Sequence, residues 1–210
     1  MKIKIFTALS LICGLPFFYG QKPVFKDKNF EKAVLENFDQ NRNGILEPVE
    51  LNTISNLFLA HKGISSADDL NLFKNVKMVV LDDNVISNIA VSNLNHLELF
   101  SCTGCKAVAF KGENLKNLTS LYLDNNLLES VSLNGTPKID QLTLSLNQLK
   151  TIDLSSLKYL RKLNLEHNRI QQVDISGNPV LQTLNVAGNA VKETDIKKGM
   201  KTDVTIFGAE

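Results

Sequence analysis

The stretch from Leu118 to Leu133, LTSLYLDNNLLESVSL, decides the fold. Leu118, Leu121, Leu123, Asn126, Leu128, Val131 and Leu133 mark seven positions in it. The same seven return as Ile139, Leu142, Leu144, Asn147, Leu149, Ile152 and Leu154. Two more copies follow, Leu160, Leu163, Leu165, Asn168, Ile170, Val173, Ile175 and then Leu181, Leu184, Val186, Asn189, Val191, Thr194, Ile196. The step from 118 to 139, 160 and 181 is 21 residues each time. Self-similarity at a fixed step of this length signals a stacked solenoid, because so short a unit cannot bury its apolar face alone.

Toward the N-terminus the register holds through Leu97, Phe100, Cys102, Cys105, Ala107, Phe110 and Gly112, and through Val76, Val79, Leu81, Asn84, Ile86, Ile89 and Val91. Ile54, Leu57, Leu59, Ile64 and Ala67 fit a first copy, with Lys62 where the asparagine stands elsewhere. After Ile196 the pattern fades into Lys197-Lys-Gly-Met-Lys, and Val204 to Phe207 offers one last edge strand. The recurring LxxLxLxxNxL resembles the leucine-rich repeat family. That resemblance implies a short strand at LxL and an asparagine turned inward to hydrogen-bond the backbone of neighbouring coils.

With 210 residues, 43% hydrophobic and 21% charged, the chain has a globular composition. Its 23 basic and 22 acidic residues leave a net charge of +1. That balance gives no basic footprint and argues against nucleic acid or an anionic membrane surface as partner.

Met1 to Gly20 has Lys2 and Lys4, an apolar run from Ile5 to Ile12 and a small residue at its end, the layout of a secretory signal peptide cleaved near Gly20. Ser10, Gly14 and Pro16 interrupt a run already short of the roughly 20 apolar residues of a membrane span. Ile12 is too bulky to precede a lipoprotein cysteine at Cys13. The mature chain is therefore expected to be exported to the periplasm, cell surface or medium, without a transmembrane segment.

Residues 21–53 read as a cap. Asp27 is an N-cap for a helix reaching Phe38, with Phe30, Val34, Leu35 and Phe38 at helical spacing. The next twelve residues, Asp39 to Glu50, place Asp39, Asn41, Asn43, Glu47 and Glu50 at loop positions 1, 3, 5, 9 and 12, with Gly44 at 6 and Ile45 at 7. This resembles an EF-hand calcium loop. A hard cation asks for six to eight oxygens at one point. Short side chains at alternate residues reach inward, Ile45 offers its carbonyl, and Glu50 closes the shell with both oxygens. Asparagine at 41 and 43 leaves three charged ligands, which puts the affinity at about 10⁻⁴ to 10⁻³ M and the calcium in a structural role. A polar helix-turn-helix without metal is the alternative. A short exit helix from Pro48 to about Asn52 starts with proline where proline is tolerated.

A helix and a single calcium loop running into 21-residue repeats is similar to a group of exported leucine-rich repeat proteins common in Bacteroidetes. In that group the segment serves as the N-terminal cap that a solenoid needs to cover its first coil. The expected fold is an α/β solenoid, mostly β: a right-handed array of about seven coils over 54–210, with a parallel sheet on its concave face.

Cys102 and Cys105 stand at core positions of their copy. Redox catalysis would need a βαβ context and zinc two further ligands. Two buried thiols are the first reading and, in an exported chain, a disulfide is the second. His61, His96 and His167 fall in different coils with no nucleophile motif beside them, so no enzyme is expected. Asn117-Leu-Thr119 and Asn134-Gly-Thr136 match the glycosylation pattern and read equally as asparagine-rich turns.

Side chains alternate along a strand, so the residues between the buried leucines face outward from the sheet. Stacking places Met78, Leu99 and Ser120 in one column and Val80, Ser101 and Tyr122 in the next, while Gln141, Thr143, Lys162, Asn164, Thr183 and Asn185 are polar. Met78, Val80, Leu99 and Tyr122 are thus expected to form an exposed apolar patch rimmed by Asp82 and Asp124, with Asp83 close by. The function expected is a monomeric binding module whose concave sheet meets a protein, peptide or glycan. The alternative is a calcium-stabilised envelope protein without a dedicated ligand.

Overall fold

A computed structural model describes residues 23–200 and 203–210. The signal segment and Cys13 lie outside the described residues. Helix α1 (Lys28–Phe38) starts at Asp27, whose side chain accepts from the amides of Asn29 and Phe30, and it buries Phe30, Ala33 and Val34. Leu35 and Phe38 pack only partly buried against the core. Helix α2 (Pro48–Thr53) has proline in its first turn and runs one residue past the expected end.

Thirteen strands, numbered along the chain, are present among the described residues. The long sheet holds β1 (Asn56–Phe58), β2 (Met78–Val80), β4 (Leu99–Ser101), β6 (Ser120–Tyr122), β8 (Gln141–Thr143), β9 (Lys162–Asn164), β11 (Thr183–Asn185) and β13 (Thr205–Phe207), in that order. All pairs are parallel, joined by seven turns of a solenoid. On the opposite wall β3 (Asn88–Ser92), β5 (Ala109–Glu113) and β7 (Ser130–Asn134) form a three-stranded sheet, and β10 (Val173–Asp174) pairs with β12 (Ile196–Lys197).

Between the two walls Leu57, Val79, Phe100, Leu121, Leu142, Leu163 and Leu184 stack through the solenoid, each at most 2% exposed. The five ladder asparagines finish the interior. Asn84, Asn126, Asn147, Asn168 and Asn189 turn Oδ1 to an amide of the preceding coil, at Ile64, Ala107, Leu128, Leu149 and Ile170. Their Nδ2 atoms donate to carbonyls of their own coil and the one before, as Asn147 does to Leu144 and Leu123. Buried backbone groups between strands are thereby satisfied.

The residue before each ladder position is left-handed throughout, from His61 and Asp83 to His167 and Gly188. At Gly188 an added Cβ would fall 2.3 Å from His167 Nδ1, so glycine there serves close approach as well as φ.

Candidate functional site

The long sheet presents two outward columns in the register expected. Met78 pairs with Leu99 and Leu99 with Ser120, and Val80 pairs with Ser101 and Ser101 with Tyr122. The apolar patch is less open than its spacing suggests: Met78, Val80, Leu99 and Tyr122 are half-buried and Ser101 is buried. The cause is lateral, since strands about 4.8 Å apart let each side chain shade its column neighbour. Tyr122 also donates its hydroxyl to Gln141 Oε1 at 3.2 Å.

Phe58 extends the second column outward at the cap end, since it pairs with Val80 and is 60% exposed. Phe207 closes the same column at the other end, paired with Asn185 and 53% exposed. Phe58 falls outside the columns expected from the sequence, which begin at Met78 and Val80, although it pairs with Val80. The signal was present in Leu57 and Leu59, which bracket it.

The acidic rim is committed to the fold more than a free rim would be. Asp82 Oδ1 accepts from Ser101 Oγ at 2.6 Å and from the Thr103 amide at 2.8 Å. Asp124 accepts from the Thr143 hydroxyl and from the amide and hydroxyl of Ser145 at 2.7 and 2.6 Å. Asp83 is exposed and lies 3.3 Å from His61 Nε2.

In the cap, the loop between α1 and α2 curls with Arg42 and Gly44 left-handed. Asp39 takes the Asn43 and Gly44 amides, at 3.2 and 2.8 Å. Asn41 and Asn43 turn Oδ1 to the amides two residues on, and their nitrogens to Glu47, at 3.3 and 3.2 Å. Glu50 is nearly buried, and its oxygens accept from the amides of Gln40 and Glu47, both at 2.9 Å, tying loop entry to loop exit.

Among the described residues no three His, Cys, Asp or Glu side chains gather into a metal-holding group, since charged oxygens here alternate with amides. The donor set nonetheless fits a hard cation in kind: Asp39, Asn41, Asn43, Glu47 and Glu50 are oxygen-bearing side chains linked to one another or to the loop's amides along one curl. Each carboxylate oxygen keeps a free lone pair, and a half-turn of either asparagine amide exchanges nitrogen for oxygen.

Cys102 and Cys105 are joined, with sulfurs 1.95 Å apart, so the second reading of the pair is the one the structure holds and the two are not free thiols. Both are fully buried. With no asparagine in this coil, the Ile86 amide loses its side-chain acceptor and takes the Cys105 carbonyl instead, at 2.9 Å. His61, His96 and His167 are exposed in separate coils.

No protein-family profile matches the chain, and no curated protein matches it in sequence. Among solved structures it is similar to a leucine-rich repeat protein of Leptospira interrogans, with a TM-score of 0.60 and 24% identity, over 68% of this chain and only 39% of the other. It is also similar to internalin C2 of Listeria monocytogenes, with a TM-score of 0.52 and 19% identity, over 87% of this chain and 94% of the other. Together with the eight parallel strands and the asparagine ladder, these likenesses establish the leucine-rich repeat solenoid fold.

Proposed function

We propose that this chain is an exported, non-enzymatic binding module that presents its long sheet to a protein ligand. The observation that carries the reading is the apolar group Phe58, Val80, Leu99 and Tyr122 on the early strands of a sheet whose later strands present Gln141, Thr143, Lys162, Asn164, Thr183 and Asn185 outward. An apolar, tyrosine-bearing strip beside carboxylates is the composition of an interaction surface, and aromatic residues supply its anchors. Peptide or glycan ligands would favour the polar coils beyond β8 instead. The scattered histidines support a binding role over catalysis.

Calcium in the 39–50 loop belongs to the same proposal, as a clamp on the cap. The placement among Bacteroidetes-type exported proteins also belongs to it, supported by the joint occurrence of cap helix, loop and 21-residue repeats. Among the described residues no helix is long and apolar enough to cross a membrane.

The test is affinity capture from envelope extract with the mature chain, followed by titration of the captured protein. Tyr122→Ala, Leu99→Ser and Phe58→Ala each weaken it at least about tenfold, or 1.4 kcal/mol, while Asn164→Ala and Asn185→Ala leave it unchanged. The opposite ordering moves the ligand to the polar coils. Absence of any saturable partner favours the purely structural envelope role.

A further inference from the structure

On the wall opposite the long sheet, lateral hydrogen bonding breaks off. β7 pairs only with β5, β10 pairs only with β12, and the segment 150–153 between them makes no hydrogen bond through its backbone among the described residues. The segment is tied at its ends. Leu149 donates its amide to Asn168 Oδ1 and accepts from the Arg169 amide, and the Leu154 carbonyl accepts from Asn178 Nδ2. Leu149 and Leu154 are buried and Ile152 packs half-buried against the core, while Lys150, Thr151 and Asp153 are exposed, so the segment lies at the surface with backbone groups that no protein group pairs among the described residues.

A groove of about 470 Å³ lies at this break, lined by Lys150, Thr151, Arg169, Gln171 and Gln172. An adjoining hollow shares Lys150 and Arg169 and adds Glu129 and Gln148. Neither Lys150 nor Arg169 makes an ion pair or side-chain hydrogen bond among the described residues. Nearby, Arg161 is engaged by Asp140 and Lys197 by Asp174, while Lys162, on the long sheet, is like Lys150 and Arg169 in making no such bond among the described residues.

We propose that this groove is a binding site for an acidic sugar, a hydroxylated ring carrying a carboxylate. The guanidinium fork of Arg169 matches a carboxylate in two hydrogen bonds, and Lys150 supplies a second positive charge. The amides of Gln148, Gln171 and Gln172 and the Thr151 hydroxyl each donate and accept, which is what ring hydroxyls need. The open backbone groups of 150–153 add further partners of both kinds. No aromatic side chain lines the groove, so it lacks the stacking platform on which nucleobases rest. Its volume falls in the range of small-ligand sites. The site lies on the other wall from the protein-binding strip and stands independently of it.

The test is titration of the intact mature chain, followed by calorimetry and by backbone amide NMR, with a trimer of galacturonic acid as probe. Its methyl ester, inorganic phosphate and tetraglutamate serve as comparisons. The expected result is saturable binding of the trimer that weakens with salt, with shifts confined to 149–154 and 169–172. Esterification, Lys150→Gln and Arg169→Gln each reduce affinity about tenfold, whereas Lys138→Gln does not. Phosphate or tetraglutamate binding as tightly as the trimer would reduce the groove to a general anion patch and overturn the assignment. So would shifts elsewhere in the chain, or no heat up to about 10 mM probe, beyond the millimolar range of such ligands. The NMR map uses the unaltered chain, so the outcome does not depend on how the variants fold.

Discussion

Asp27 grips Ser65 twice, with one carboxylate oxygen 2.6 Å from its amide and 2.7 Å from its hydroxyl, while the other oxygen caps α1. The same residue's own amide donates to Asp69 at 2.9 Å. Helix start and first coil are therefore one hydrogen-bonded unit, with the Asp27 side chain tying the N-cap to the solenoid beside the Lys26 and Asp27 amides on Asp69 and the Asn29 side chain on the Gly63 carbonyl. Asp27→Ala removes an N-cap and leaves several nearly buried donors unanswered. The expected loss is about 3 kcal/mol in urea unfolding followed by circular dichroism. A loss below about 1 kcal/mol would show that the cap is held by the packing of Phe25, Phe30 and Phe73 instead.

The same carboxyl gives the cap an acid limit. Burial pushes its pKa up, but hydrogen bonds from the Ser65 hydroxyl and the Phe30, Ser65 and Ser66 amides outweigh burial and hold it below the ordinary value of 3.8. A group depressed in the folded state binds fewer protons there than in the unfolded chain. Its contribution is full above the unfolded value and is lost as pH falls through the folded one. Asp174, held at about 2 by Lys197 and Ser176, titrates later still. Amide exchange across pH 5 to 2 is expected to open α1 before β10 and β12. The reverse order would dispose of Asp27 as the acid-sensitive link.

Asn147→Ala takes the acceptor from the Leu128 amide and the donor from the Leu123, Leu144 and Ser145 carbonyls in the middle of the stack. The expected cost is about 2 to 3 kcal/mol. Asn189→Ala, at a half-buried position, costs about 1 kcal/mol. Equal costs from chemical denaturation would contradict a nearest-neighbour stack.

The Cys102–Cys105 link closes a loop of only three residues' separation, so chain entropy credits it with about 2 kcal/mol. Cys102→Ala with Cys105→Ala loses all of that. Cys102→Leu with Cys105→Asn rebuilds the ladder partner that Ile86 lacks and recovers most of it. Matched stabilities for the two double variants would mean that the Cys105 carbonyl already serves Ile86 in full.

Calcium is expected to raise the thermal midpoint of the mature chain, and Glu50→Gln to abolish that rise. Because Glu50 also holds the Gln40 and Glu47 amides, the variant starts lower in chelator than the unaltered chain. Calorimetry without heat up to about 10 mM calcium would exclude the loop as a calcium site.

The solenoid was legible because burial imposes its period on the sequence: Leu121, Leu142, Leu163 and Leu184 must be apolar wherever a coil repeats. The ladder asparagines were legible for the same reason, each serving a backbone group at a fixed offset. Asn178 was not. It stands at a position that Leu94, Leu115 and Leu157 fill with buried leucine, yet it donates to the Leu154 and Leu157 carbonyls and leaves its Oδ1 buried without a partner. The disulfide was readable only as one of two states, since the spacing of Cys102 and Cys105 permits both. Half-burial of the outward patch was not readable, because alternation gives the face of the sheet a side chain takes and not how closely its column neighbours cover it. The break at 150–153 left no trace, since Ile152 and Leu154 keep the repeat while the backbone between them departs from it.

The constant register from β2 to β11 means that each coil is sewn only to the next. Pulled from its last strand, such a molecule does not burst; it unravels like knitting, row by row. Each freed row of 21 residues pays out roughly 70 Å of chain, so a force trace from the β13 end should show a sawtooth at that spacing. Traction on Phe25 meets the aromatic knot and the Asp27 rivet before any row can slip. A tether at one end thus yields gradually, and a tether at the other holds fast until it fails at once.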